Sequence, residues 1–188
     1  MERICRRISA HGADIVQLRD KTSSSESILK DARAISGILS NTRTLFIVND
    51  RLDIARMVDC DGVHLGQGDT SVGTARAILG EDKIIGVSCH SVAQAIRAQK
   101  EGADYIGIGP VFKTPTKPRA RPVGTGLIKE VSRRIRIPFF AIGGLNRSTI
   151  NPVLSSGARR VAVCSAVCRA PDTRSAAAEL SGLLRRLK

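Results

Sequence analysis

Seven short apolar, β-branched runs alternate with stretches of helical spacing, and this alternation constrains the fold more than any other feature of the chain. The runs cover residues 15–18, 45–48, 62–65, 84–87, 105–108, 138–142 and 160–163. Between them, sets such as Ile28, Ala32, Ile35 and Leu39, or Val92, Ala95 and Ile96, place apolar groups on one face of a helix. Strict alternation of strand and helix requires right-handed crossovers and a parallel sheet, covered by helices on one side if it closes and on both if it stays open.

Glycines mark the helix ends at Gly12, Gly80, Gly102 and Gly157, where a left-handed residue after the last turn is easiest for glycine. A weak αβ repeat follows: Gly12-Ala13-Asp14, Gly102-Ala103-Asp104 and Gly157-Ala158-Arg159 each lead from a helix end into a strand. A repeat of roughly 20 to 30 residues, with polar groups at the strand ends, favours an α/β barrel of the TIM (β/α)8 type over a doubly wound sheet. The Gly107, Gly109 pair lacks the third glycine and the following helix of a dinucleotide-binding turn.

We expect residues 1–188 to form one such domain. The length suffices for a sizeable core but falls short of the roughly 250 residues typical of a complete barrel. Only a helix, at about residues 2–11, precedes the first run, so an eight-stranded barrel would lack its opening strand. Three explanations follow: a start truncated relative to the natural gene, an open barrel with two exposed edges, or a partner that fills the gap.

The net charge of +13 raises nucleic acid, anionic membranes and phosphorylated small molecules as partners. With no Trp, one Tyr and four Phe, the chain has little material for stacking on single strands, and no nucleic-acid-binding signature appears, so specific nucleic-acid binding is not expected. The charge is dispersed in pairs such as Arg6-Arg7, Arg133-Arg134, Arg159-Arg160 and Arg185-Arg186, as on solvated helix faces. Five cysteines without a CxxC pair read as reduced thiols. With no secretory leader and no apolar run near 20 residues, a cytoplasmic protein without a membrane partner is expected. Assembly into a homo-oligomer stays open.

In a parallel barrel the chemistry lies at the carboxyl ends of the strands. Gln17, Arg19 and Lys21 alternate and so point the same way at the end of the first run, where Arg and Lys can grip a diphosphate. A strand end fraying into solvent is the plainer alternative. Asp50 and Asp69 end the next two runs; two hard carboxylates facing a diphosphate suit a magnesium ion, although either alone could cap a helix. The connection over residues 109–124 is the longest in the chain, is stiffened by Pro115, Pro118 and Pro122, and carries Thr114-Pro115-Thr116-Lys117, a set suited to phosphate. Gly143-Gly144 and Cys164-Ser165 fall where barrels hold a second phosphate on backbone N–H groups. His64 reads as a hydrogen-bonded structural histidine; for His90 the sequence decides nothing.

Taken together, Gln17-x-Arg19-x-Lys21, Ile47-Val48-Asn49-Asp50, Gly62-Val63-His64-Leu65-Gly66-Gln67-x-Asp69, Gly86-Val87-Ser88-x-His90, residues 109–117 and Ala141-Ile142-Gly143-Gly144 resemble the thiamin phosphate synthase family, in family order over about residues 12–165. The resemblance implies that Gln17, Leu18, Arg19, Asp20, Lys21 and Asn49 bind an aminopyrimidine diphosphate. It implies that Asp50 and Asp69 hold Mg2+ and that Ser88 and Lys117 contact the diphosphate. It further implies that Thr114, Pro115, Thr116, Gly144, Cys164 and Ser165 hold a thiazole phosphate. Arg19, Lys21, Ser88 and Lys117 are then the catalytic set. The implied reaction is loss of diphosphate from the pyrimidine methylene and capture by the thiazole nitrogen, a transferase step that rests on charge stabilisation and proximity. A related thiazole tautomerase, or a polyanion-binding domain without catalysis, are the competing readings; retention of Asp50, Asp69, Thr116 and Lys117 speaks against the first.

Overall fold

A computed structural model of the chain describes residues 1–185; Arg186, half of the Arg185-Arg186 pair, lies outside them. The strands are β1 (Ile15–Leu18), β2 (Leu45–Asn49), β3 (Gly62–Leu65), β4 (Ile84–Cys89), β5 (Tyr105–Ile108), β6 (Phe139–Ile142) and β7 (Val161–Ala162). The helices are α1 (Glu2–Ser9), α2 (Ser25–Leu39), α3 (Leu52–Met57), α4 (Val72–Leu79), α5 (Val92–Lys100), α6 (Gly124–Arg134), α7 (Ile150–Ser155), α8 (Ser165–Cys168) and α9 (Thr173–Arg185). All neighbouring strands pair in parallel, in the order β1-β2-β3-β4-β5-β6-β7. The result is an α/β half-barrel with β1 and β7 at its edges.

All seven runs become strands, and the end strand departs most from expectation. The sequence predicts residues 160–163, whereas β7 is two residues long and makes two register pairs with β6. It has one neighbour, as β1 does, but pairs with it over two residues where β1 pairs over four, so fewer ladder bonds hold it extended. Helices close the space instead. Helix α1 packs against α9 as well as α2, and Ile8 of α1 joins a small cluster formed by Ile150, Val167 and Leu180.

The main core lies between the sheet and its helices. Val16, Leu18, Phe46, Val48, Val63, Leu65, Ile85 and Val87 point outward from the strands onto Ile28, Ala32, Ile35, Ile54 and Ala75. Burial of each such aliphatic side chain stabilises the fold by about 1.5–3 kcal/mol.

The inner face follows a second rule, in which large and small residues alternate around the half-barrel. Register places His64 beside Gly86, Gly86 beside Tyr105, and Gly107 beside Phe140. A Cβ on Gly86 would stand 2.1 Å from the Tyr105 ring, and one on Gly107 would stand 3.2 Å from the His64 ring. The glycines therefore give room to the Tyr105 and His64 rings that fill the lumen.

At the amino ends of the strands, side chains tie each element to its neighbour. Thr44 Oγ1 donates to the Ala13 carbonyl (2.9 Å). The Asp61 carboxylate accepts from Phe46 N–H (2.6 Å) and that of Asp104 from Ile85 N–H (2.7 Å). Gln99 Oε1 accepts from the Arg136 (2.7 Å) and Ile137 (3.3 Å) N–H groups. These contacts fix the register at the end of the barrel opposite the candidate site.

Candidate active site

Strand alternation puts Gln17 on the opposite face from buried Val16 and Leu18, and Arg19 follows directly after the strand as an exposed residue. Leu18 is 4% exposed, so what it presents to a ligand is backbone. Asp20 shapes its own turn: Oδ1 accepts from Thr22 N–H (2.8 Å), Ser23 N–H (3.0 Å) and the Thr22 hydroxyl (3.0 Å). The Ser23 hydroxyl first, and then these bonds, hold the Asp20 carboxyl well below the usual carboxylate range.

Neither metal-candidate carboxylate caps a helix. The N-cap of α3 is Arg51, while Asp50 has φ 62° and pairs with Lys21 Nζ at 2.8 Å. Aspartate is among the few non-glycine residues that tolerate this left-handed geometry. Ser71 caps α4, and Asp69 Oδ2 instead accepts from Gly66 N–H at 2.7 Å.

The long connection reaches back over this end of the barrel. Its base is fastened twice: Val111 and Phe112 N–H donate to the Ile142 and Gly143 carbonyls (2.8 and 3.0 Å), and Val123 N–H to the Pro110 carbonyl (2.8 Å). The Gly109–Pro110 peptide bond is cis, and His90 Nδ1 bonds to the Gly109 carbonyl. His90 thus anchors the base of the loop. Gly144 has φ 69°, and a Cβ there would meet the Lys113 carbonyl at 2.6 Å, so the close approach of loop and strand end requires glycine.

The loop delivers Lys117 among the charges. Partial desolvation, followed by repulsion from Arg19 and Lys21, holds its amine below the usual lysine value; attraction to Asp50 and Asp69 works the other way. Three cations and two carboxylates from four different segments therefore share one electrostatic neighbourhood, with a surplus of one positive charge. Crowding like charges costs stability, and an anionic ligand would relieve it.

Across the mouth, Cys164 precedes α8. Hydrogen bonds from Cys168 and from Thr116, together with Arg169 and Arg19, lower its thiol pKa against desolvation. Thr116 N–H in turn donates to Thr114 Oγ1 (3.3 Å), so Thr114, Thr116, Arg19 and Cys164 are linked across the opening, with Lys117 near Arg19. Ser165 starts α8 and is half-buried. Pro115 is exposed on the loop and Asn49 is half-buried at the end of β2.

Beneath the mouth, His64 bonds to the Tyr105 hydroxyl through Nδ1 (3.0 Å) and to Ser88 Oγ through Nε2 (2.9 Å). Burial, then the Lys117 charge, push the His64 pKa down to about 4, so the ring is neutral. The expectation of a hydrogen-bonded histidine matches this geometry. Tyr105 escaped the sequence reading. It is the chain's single tyrosine and shares inward parity with Gly107 in the run at residues 105–108, but which side chains it meets depends on the register with its neighbours.

The family model described as "Thiamine monophosphate synthase" matches residues 1–167. The thiamine-phosphate synthase of Shouchella clausii is 45% identical over 90% of this chain and 81% of its own length. That of a Synechococcus species is 45% identical over 97% of this chain, which spans about half (53%) of the relative. Among solved structures, a thiamine phosphate pyrophosphorylase from Pyrococcus furiosus superposes with a TM-score of 0.92 at 34% identity, covering 99% of this chain and 90% of that one. Orotidine 5'-phosphate decarboxylase from Pyrococcus horikoshii, at 15% identity and a TM-score of 0.70, shares the fold alone. The motifs at the strand ends, the half-barrel that gathers them and the match over residues 1–167 converge: the chain belongs to the thiamine monophosphate synthase family.

Proposed function

We propose that this chain, acting as one domain over residues 1–188, condenses 4-amino-2-methyl-5-(diphosphooxymethyl)pyrimidine with 4-methyl-5-(2-phosphooxyethyl)thiazole to give thiamin phosphate and diphosphate. The observation that carries the reading is the electrostatic neighbourhood of Lys117, in which Arg19, Lys21, Asp50 and Asp69 meet at one mouth. Such a site suits a reaction whose difficulty is the departure of a highly charged anion.

Arg19, Lys21 and Lys117 hold the diphosphate and take up the charge that builds on its bridging oxygen as the methylene carbon–oxygen bond breaks. Ser88 donates a hydrogen bond to the same group. Gln17 and Asn49 orient the pyrimidine ring, which delocalises the positive charge left on the methylene carbon. Thr114, Thr116, Gly144, Cys164 and Ser165 seat the thiazole phosphate so that the ring nitrogen lies in line to supply the electron pair of the new carbon–nitrogen bond. No covalent nucleophile from the protein is required.

Asp50 and Asp69 suit Mg2+ as hard oxygen ligands. Among the described residues no group of three or more His, Cys, Asp or Glu could hold a metal ion, so Asp50 and Asp69 would hold it only together with the bound diphosphate. When bound, the ion neutralises diphosphate charge.

Purified protein incubated with both substrates, with magnesium or with excess chelator, tests the reading by direct detection of thiamin phosphate. Metal-dependent product supports it. A folded protein that gives no product under either condition overturns it.

A further inference from the structure

We propose that Tyr105 and His64 are positioning residues that set the direction of a hydrogen-bond chain, Gln17 to Tyr105 to His64 to Ser88, so that the Ser88 hydroxyl is left free to donate to a bound diphosphate. The inference deepens the proposed function and rests on it for the identity of the anion.

The chain crosses the lumen of the half-barrel from β1 through β5 and β3 to β4. Its links are a Gln17 side-chain bond to the Tyr105 phenol, Tyr105 to His64 Nδ1 at 3.0 Å, and His64 Nε2 to Ser88 Oγ at 2.9 Å. Glycine opens the path at two places, since Gly86 makes room for the tyrosine ring and Gly107 for the imidazole. Among the described residues no buried side-chain nitrogen or oxygen lacks a partner.

Each member has a fixed capacity. A neutral imidazole has one N–H and one bare nitrogen, so one link must donate and the other accept. If the Gln17 amide donates to the phenol oxygen, the phenol donates to Nδ1, and Nε2 carries the proton and donates to Ser88 Oγ. The serine oxygen then has an acceptor position filled, and its own hydrogen is free. In the reverse polarity Ser88 would donate into the histidine and turn only lone pairs toward the mouth, where a diphosphate, itself only an acceptor, would repel them.

One observation favours the first polarity. The cations Arg19, Lys21 and Lys117 line the same mouth and mark it for an anion. The Ser88 main chain is held separately: Gln67 Nε2 donates to its carbonyl at 2.7 Å, and Arg97 fixes Gln67 at 2.6 Å. The hydroxyl rotor is thus the one part of Ser88 whose orientation depends on His64.

Nitrogen NMR of the histidine-labelled, ligand-free protein at pH 7 reads the tautomer directly. The expected result is His64 protonated on Nε2, with Tyr105→Phe shifting the ring toward a mixture. Protonation on Nδ1, or a tautomer that ignores Tyr105→Phe, overturns the proposal.

A second readout needs no turnover: calorimetric binding of inorganic pyrophosphate in excess magnesium. Tyr105→Phe is expected to weaken binding about tenfold and Ser88→Ala by a similar factor, with the double variant no weaker than Ser88→Ala alone, since Tyr105 acts through the hydroxyl. Additive losses would assign Tyr105 a packing role and overturn the proposal, as would unchanged binding in Tyr105→Phe. Failure of the synthase reading is seen separately, as missing product from a wild-type protein that still binds pyrophosphate.

Discussion

The two ends of the half-barrel use the same residue types for opposite purposes. At the amino ends of the strands, Asp61 and Asp104 accept main-chain N–H bonds, Arg76 pairs with Asp104 at 2.7 Å, and Lys83 bonds Asp59 and the Cys60 carbonyl. Each of these charges has a main-chain or opposite-charge partner. At the carboxyl ends, Lys117 stands close enough to Arg19 and Lys21 to be repelled by both. The named charges at the amino ends are satisfied by the fold itself; the surplus of like charge at the carboxyl ends is what the proposed function assigns to a ligand.

His64 sharpens the comparison from between the two ends, because it lies under the mouth yet is fully bonded and neutral. Its folded pKa of about 4 lies below the ordinary 6.5. Between those values the unfolded chain binds a proton that the folded chain does not, so stability must fall as pH drops through the window, by about 3 kcal/mol in total. Below pH 4 this contribution flattens. Denaturation of wild type and His64→Gln from pH 7 to 4 checks it: the variant should lack this part of the slope, and identical pH dependence would sink the account.

Lys117→Ala tests the mouth. Loss of one charge-assisted contact should lower kcat/KM by about 10- to 150-fold, equivalent to roughly 1.5–3 kcal/mol. The melting temperature should hold or rise slightly, because repulsion with Arg19 and Lys21 goes with the side chain. Parallel loss of activity and Tm would erase the distinction between the two ends.

Asp104→Ala is the converse. It strands the N–H of Ile85, a residue with no exposed surface, and removes one carboxylate partner of Arg76, which keeps its bonds to the Gly80, Glu81 and Lys83 carbonyls. The cost should be about 1–3 kcal/mol, or a Tm about 5 °C lower, with kcat/KM unchanged at a temperature where the variant is folded. A selective loss of activity would show that this end of the barrel contributes to the chemistry.

Much of this organisation could be read from the sequence, for physical reasons that also mark where reading stops. The strands were visible because interior strands are short β-branched runs, and β7 was overdrawn because composition carries no information about a missing neighbour. Asp50 was ambiguous between helix cap and ligand until its φ of 62° and its bond to Lys21 removed the cap. Asp61 and Asp104 resemble site acids in composition, and only their position before a strand, bonded to the preceding one, declares them structural. The Tyr105–His64 link depends on register across three strands, which no local pattern encodes. The contact between Thr116 and Cys164 depends on the course of a loop rich in proline.

That last contact yields the smallest expected effect. Hydrogen bonds from Cys168 and Thr116, with Arg169 and Arg19, lower the Cys164 thiol pKa, whereas burial pushes Cys60 and Cys89 up. More of Cys164 is therefore thiolate at pH 7, but a less basic thiolate is also a weaker nucleophile, so its net advantage toward iodoacetamide is small. Mass-spectrometric mapping should find Cys164 modified before Cys60 and Cys89, at a rate that levels off at a lower pH than an ordinary thiol, and the proposed thiazole phosphate should protect it. Alkylation that follows the pH profile of an ordinary thiol would mean that Cys168, Thr116, Arg169 and Arg19 do not converge on the sulfur, and the mouth would lose its link between the loop and the last strand.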